Sequence, residues 1–305
     1  VYREKIFLSK RFYSFLSIVK ELEVLLGSDR LDIEFAKKNS KWFLFQCRYL
    51  PRGNKANDDD EIRKTLVNLK KKIDKLKKIN PTISGKTTHF SNMADWNPAE
   101  MIGDKPKPLA ISLYSELITD SVWASQRKDY FYKDVSPNIL MVNLAGSPFI
   151  DLRTDINSFL PKGLPKTIET KVVDNLLIKL KSKPYLHDKI EFDIIPTCYD
   201  FGLNNKSLSF LKNKEKKIYI RKLKELTNYI LSKKNNLLKK ELKKINLLDE
   251  KIKKINTSKI SEIQKIFFLI NDCKKYGTLP FAGTARLAFV CTIILRTLHN
   301  LKIIN

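Results

Sequence analysis

The chain has few cysteines and none that pair in sequence. Its four (Cys47, Cys198, Cys273, Cys291) stand far apart, with no C-x-x-C and no histidine at ligand spacing. Zinc sites and disulfide frameworks need closer pairs, so the spacing points instead to buried thiols in a reducing compartment. Acidic residues are in deficit: 33 Asp and Glu against 58 Lys and Arg, a net charge of +25. No apolar run approaches the roughly 20 residues of a membrane-spanning helix. The start VYREKIFLSKRFYSFL lacks a small-residue cleavage site, which argues against a signal peptide. We therefore expect a cytoplasmic location and no membrane partner. No internal repeat is present. The chain does not open with Met, and we read it as a piece of a longer polypeptide.

What is present suffices for a folded core. The hydrophobic fraction is 43% over 305 residues, enough for two domains or one large irregular one. The charge excess invites a nucleic-acid reading, but its distribution points elsewhere. Lysines concentrate in 64–78, 212–224 and 233–254, among Leu and Ile at helical spacing. In KKELKKINLLDEKIKKIN the apolar positions Leu242, Ile245, Leu248, Ile252 and Ile255 recur every three or four residues. That spacing predicts an amphipathic helix with a solvated lysine face. Arginines and aromatics, which read bases, are not interleaved there, so specific nucleic-acid binding is not expected.

The pattern predicts a helix over 4–26, closed by Gly27 in C-cap position. A hairpin follows over 31–50: LDIEFA alternates, KKNSK turns, and WFLFQCRYL returns. Pro51-Arg52-Gly53 and 54–60 read as a linker whose acids at 58–60 cap a helix over 61–79; 81–91 is a loop. Further helices are predicted over 109–129, 166–182, 208–256 (interrupted near 233–236), 262–273 and 284–302. β-like runs fall at 138–152 and 189–197, with turns at 161–165 and 276–283. The expected class is α+β and mostly helical: a short β-hairpin, then a helix-rich domain with a few strands. We expect divisions at 1–53, 54–91 (a helical linker) and 92–305.

Two constellations stand out. The stretch 92–120 holds Trp96 beside Asp95, Glu100 and Asp104, then a proline turn and an apolar helical run. An aromatic and carboxylates at a rigid turn suit a shaped ligand site. Asn97-Pro98 is equally a good helix start. In the hairpin, Asp32 and Glu34 share one strand face, and pairing brings them to Gln46 and Arg48. Such a face could hold Mg²⁺ and nucleotide phosphates, or be a solvated strand with an ion pair. Ser84-Gly85-Lys86-Thr87-Thr88 imitates a P-loop, but Asn80 stands where its first glycine belongs and no apolar strand precedes it.

LDIEFA, a turn and FLFQCRYL resemble the last strands of the ATP-grasp domain of phosphoenolpyruvate synthase and pyruvate phosphate dikinase, whose pattern is D-I-E-[FW]-A then Q-x-R-P. Tyr49 departs from that pattern; Pro51 follows closely. The resemblance implies that 1–53 is the C-terminal edge of a nucleotide domain for ATP and Mg²⁺. Glu34 would then bind the metal, and Gln46 and Arg48 the phosphates. MADWNPAEMIG, KPLAISLYSELITDSVWASQR, INSFLP, LHDKIEF and YGTLPFAGTARLAF are similar to phosphoenolpyruvate-synthase-like kinases of capsule gene clusters, typified by L-glutamine kinase. That kinase type phosphorylates the amide of glutamine from ATP, through a phosphohistidine on a mobile domain. None of the three histidines (His89, His187, His299) has the expected Gly-rich, Ser/Thr-flanked context. The carrier histidine is therefore expected on a domain absent here, and this piece alone should not complete the reaction.

Glutamine carries an ammonium and a carboxylate, so its pocket needs an acid and an Arg. The candidates are Asp95, Trp96, Asn97, Glu100, Arg127, Asp151, Arg153, Asn157, Glu191, Tyr276, Thr278 and Arg286. Asp95 or Glu100 is expected in the acid/base role. The turn at 276–283 is expected to open a helix whose N-terminus faces phosphate. For each candidate, a structural cap or buried ion pair is the other reading. The alternative function is a non-catalytic basic module for anionic polysaccharide or nucleic acid.

Overall fold

The computed structural model describes residues 13–49, 59–203 and 207–304. The chain divides into two compact units, Val1–Lys64 and Thr65–Asn305. The class is α+β and mostly helical, with one two-stranded and one three-stranded antiparallel sheet.

In the first unit, helix α1 (Tyr13–Leu26) stops at Gly27, whose φ of +60° is open to glycine at little cost. Strands β1 (Leu31–Lys38) and β2 (Lys41–Tyr49) then form the expected hairpin, turning through Asn39 at φ +56°. Asp32 lies opposite Arg48 and Glu34 opposite Gln46. A bulge follows between Glu34 and Phe35 and leaves Phe45 largely exposed. An aromatic cluster closes the unit: the Phe15 ring lies 3.9 Å from Phe35 and 4.8 Å from Trp42, centroid to centroid. The Trp42 indole donates to Ser14 Oγ at 2.9 Å. The part of the predicted first helix over 4–12, the Pro51-Arg52-Gly53 linker and the cap at Asp58 lie outside the described residues.

The second unit starts within α2 (Asp59–Leu76). Strand β3 (Phe90–Ser91) pairs with β5 (Ser147–Asp151), which pairs with β4 (Met141–Leu144), in the order β3-β5-β4. The β4–β5 turn places Ala145 and Gly146 at φ +52° and +88°, while Asn143 Oδ1 accepts from the Gly146 N–H at 2.8 Å. The other early helices are α3 (Pro98–Ile102), α4 (Pro108–Tyr114, continued by a π-helical turn, Ser115–Thr119) and α5 (Val122–Asp129). Helix α6 (Leu152–Ser158) is buried at every position. α7 (Lys166–Ser182) covers it with a stripe of Ile168, Val172, Val173, Leu176, Leu177 and Leu180. α8 (Asn213–Leu231) adds Tyr219, Leu223, Leu226 and Ile230, each an i+3 or i+4 step. Trp123, Tyr132, Phe159 and Ile150 fill the centre.

The last helices are α9 (Leu237–Asn256), α10 (Glu262–Asp272) and α11 (Leu279–Asn300). α9 forms as the lysine-rich pattern predicts, but its buried positions are Leu237, Glu241 and Ile255, while Leu242 and Ile245 stay exposed. Gly283 is required where α11 meets α5 and α9. A Cβ there would lie 2.6 Å from Tyr130 Oη and 2.9 Å from Glu241 Cγ.

Three expectations are corrected. Residues 189–197 are not a strand: Ile190–Ile194 is a π-helical turn, and Ile195 becomes extended ahead of Pro196. Residues 276–283 are not a turn opening a helix. α10 runs into α11 through a π-helical turn, Cys273–Thr278, because Pro280 has no N–H to give to the carbonyl four residues back. No free helix N-terminus is left there for a phosphate. Finally, the apolar run is longer than the sequence reading allowed. By length and composition alone, Glu262–Asn300 suffices to cross a membrane, and 28% of its most apolar window is buried. Within it, Arg286 is committed to an ion pair inside the unit.

Candidate functional site

A cavity of about 310 Å³ opens between the 93–97 loop, α5, the π-helical turn at 190–194 and α11. Its walls are aromatic: Trp96 lies 6.1 Å from Phe281, and Phe192 5.0 Å from Phe289. Its floor is charged. Arg127 Nη2 meets Asp95 Oδ2 at 2.7 Å, and Nη1 donates to Ser158 Oγ at 2.9 Å. Arg286 Nη2 lies 2.7 Å from Glu191 Oε2, and Arg127 reaches the other Glu191 oxygen at 3.9 Å. Both guanidinium groups rest on the Phe159 ring, 3.6 Å away for Arg127 and 4.6 Å for Arg286. The result is a chain of alternating charge, Asp95–Arg127–Glu191–Arg286, drawn from four separate elements.

The backbone that presents Asp95 is unusual. Trp96 and Asn97 both take left-handed conformations, φ +62° and +39°, which cost a side-chain-bearing residue energy. The Tyr114 hydroxyl donates to the Trp96 carbonyl and helps hold the bend. Asn97 then stands at the N-cap of α3 with Pro98 behind it, but its side chain makes no cap bond and instead donates to Glu100.

Burial and charge set the titration of the floor. Burial raises Asp95 to about 6; Arg127 opposes the rise, and the Glu191 charge and hydrogen bond add to it. Asp155, wholly buried beneath, is pushed well above the carboxylate range by burial and then by Asp95. Burial acts on Glu191 in the same sense, yet Arg286 and Arg127 together hold it below its ordinary value. Near neutral pH the floor therefore carries its guanidinium charges beside an ionised Glu191 and a largely ionised Asp95, while burial favours the neutral form of Asp155.

Several buried polar atoms have no hydrogen-bond partner among the described residues: Arg286 Nε and Nη1, Gln126 Nε2, Asn97 Oδ1 and both Asp155 oxygens. Buried groups of this kind are paired as a rule, so these atoms keep hydrogen-bonding capacity at and beneath the cavity floor.

Of the sequence candidates, Asp95, Trp96, Asn97, Arg127, Glu191 and Arg286 come together at this cavity. Glu100 lies exposed beyond it, bonded to Asn97. Asp151 caps α6, accepting from Thr154 N at 3.0 Å and Thr88 Oγ1 at 2.7 Å. Arg153 donates to the carbonyls of Lys78 and Leu76 at the end of α2. Asn157 clamps Ser84 in both directions, each bond 2.8 Å. Tyr276 sits in the π-helical turn with Lys251 and Lys275 against its ring, and Thr278 in the same turn; neither lines the cavity. Gln126, Asp155, His187, Phe281 and Phe289 were not anticipated. Phe281, Ala285 and Phe289 recur at i+4 along one helix face. The mistaken turn at 276–283 hid that signal.

Glu34, Gln46 and Arg48 share a face of the hairpin in the first unit, where Arg48 Nε pairs with Asp32 at 2.7 Å in an exposed setting. Among the described residues no group of three or more His, Cys, Asp or Glu side chains is arranged to hold a metal ion. A Mg²⁺ at Glu34 would need most of its oxygens from nucleotide phosphates and water, as Mg²⁺ sites commonly do.

Comparison with known proteins returned no match: no family model fits the chain, and no curated protein or solved structure is significantly similar to it.

Proposed function

We propose that the Thr65–Asn305 unit is the acceptor-binding region of a phosphoenolpyruvate-synthase-like phosphotransferase, with L-glutamine as acceptor. The hairpin of the first unit is then the edge of its ATP-grasp domain, and the phosphohistidine belongs to a domain elsewhere in the polypeptide. The observation that carries this reading is the cavity floor, where unpartnered guanidinium and amide donors lie beside carboxylates under aromatic walls. An amino acid needs that combination. Its carboxylate suits Arg286 Nε and Nη1, its ammonium suits Asp95 and Glu191, and its amide suits Gln126 and Asn97. The apolar walls suit the methylenes.

In such a transfer the protein's work is positioning and charge neutralisation. ATP with Mg²⁺ supplies the phosphoryl group when bound, and Glu34, Gln46 and Arg48 would hold that edge. Asp95, raised to about 6 by burial, is suited to hold or release a proton near neutral pH, which places it ahead of exposed Glu100 for acid/base work.

Calorimetry of the chain with L-glutamine tests the reading. Saturable heat is expected, weakened at least about tenfold by Arg286→Gln, since a lost charge-assisted bond is worth roughly 1.5–3 kcal/mol. No heat at millimolar glutamine overturns it. A salt-steep affinity for RNA or anionic polysaccharide, with no small-ligand heat, would move the conclusion to a basic binding module.

A further inference from the structure

A second cavity, about 440 Å³, lies on the other side of the 187–188 corner, among β3, β5 and the end of α7. Its polar lining comes from His89, Ser91, Asn92, Lys181 and His187, and among the described residues no carboxylate lines it. That contrasts with the acidic floor of the first cavity. The field is positive: burial, then Lys181 and Lys77, hold His89 below the ordinary imidazole value.

His187 is the one residue lining both cavities. Its Nδ1 lies 3.1 Å from Ser91 Oγ, and that oxygen already accepts from Met93 N at 3.3 Å. That contact ties the His187 ring to β3 where the two cavities adjoin.

We propose that this second cavity binds a phosphate-type dianion, with Lys181, His89 and His187 as its donors. Two imidazoles, an ammonium and an amide around apolar walls make a complement to phosphoryl oxygens. The site stands on its own lining. Its link to the first cavity through His187, which would bring a phosphoryl group beside an acceptor, rests on the acceptor reading above.

The test is a proton NMR titration of the whole chain with inorganic phosphate, reading the imidazole signals of its three histidines. Phosphate is expected to move His89 and His187 while leaving His299 in place. Lys181→Ala, an exposed change that leaves the fold intact, is expected to raise the half-saturating phosphate about tenfold. His187→Gln should weaken binding without moving the His299 signal. A parallel titration with free N-phosphohistidine separates the sources. Tighter binding than phosphate identifies a carrier-borne phosphoryl group, and equal binding identifies free phosphate. Signals unmoved at tens of millimolar, or three histidines moving together, overturn the site. Because glutamine heat and phosphate shifts are separate readouts, either reading can fail alone.

Discussion

Two buried polar networks in the same unit use similar residues to opposite ends. In the first, Lys133 Nζ meets Glu169 Oε2 at 2.5 Å and Asn157 Oδ1 at 3.0 Å, while Ser84 Oγ donates to Glu169 at 2.6 Å. One cation faces one anion, and Asn157 is saturated at both ends. In the second, three carboxyl groups face two guanidinium groups, and donors of Arg286 and Gln126 have no partner among the described residues. The first network ties the 81–89 loop to α6 and α7. The second leaves hydrogen-bonding capacity unspent around a cavity.

That contrast can be broken most forcefully at the fastening. Glu169→Ala strands Lys133 and should cost about 3–5 kcal/mol in denaturant unfolding, whereas Asp155→Asn under the cavity should cost less than about 1 kcal/mol. If the two costs are equal, the distinction between the networks fails. Next comes Gly283→Ala, which forces a methyl against Tyr130 Oη and Glu241 and should cost about 1–3 kcal/mol. The pH dependence sharpens the comparison from the other side. Below about pH 4 Asp95 is protonated in both folded and unfolded chains. As pH rises toward about 6 the unfolded chain ionises first, so stability falls over that window. Asp155, also raised, contributes in the same direction. Glu191 is lowered, so its contribution is present at neutral pH and lost only on acidification below its ordinary range. Unfolding followed from pH 4 to 8 should show the decline, flattened in Asp155→Asn. The smallest effect belongs to the exposed hairpin pair. Asp32→Asn should change stability by less than about 1 kcal/mol in the same measurement.

The helical stripes were legible because burial writes a period into the chain. α7 occupies the predicted residues, Lys166–Ser182, and the hairpin has the predicted cross-strand pairs. IEFDII at 190–195 was not legible. Its β-branched residues favour a strand, but Glu191 is drawn to Arg286 on α11 and the segment winds into a π-helical turn before Ile195 extends. The charge chain was legible only as residue types. Asp95 and Arg286 are far apart in sequence, and nothing local distinguishes them from Asp151 or Arg153, which the fold spends on a helix cap and on the end of α2. Asp155 was missed because a carboxyl group with no partner has no sequence signature.

The π-helical turn at Cys273–Thr278 acts as a phase shifter. A π turn holds one residue more than an α turn, and one residue is worth about 100° of azimuth. Ahead of it, Ile263, Ile266 and Phe267 of α10 look outward; behind it, Ala282, Arg286 and Val290 of α11 look inward. The aim of Arg286 is therefore set by a count of residues upstream as much as by its own neighbours. Removing one residue between 273 and 278 would swing the guanidinium away from Glu191 without altering any group it touches.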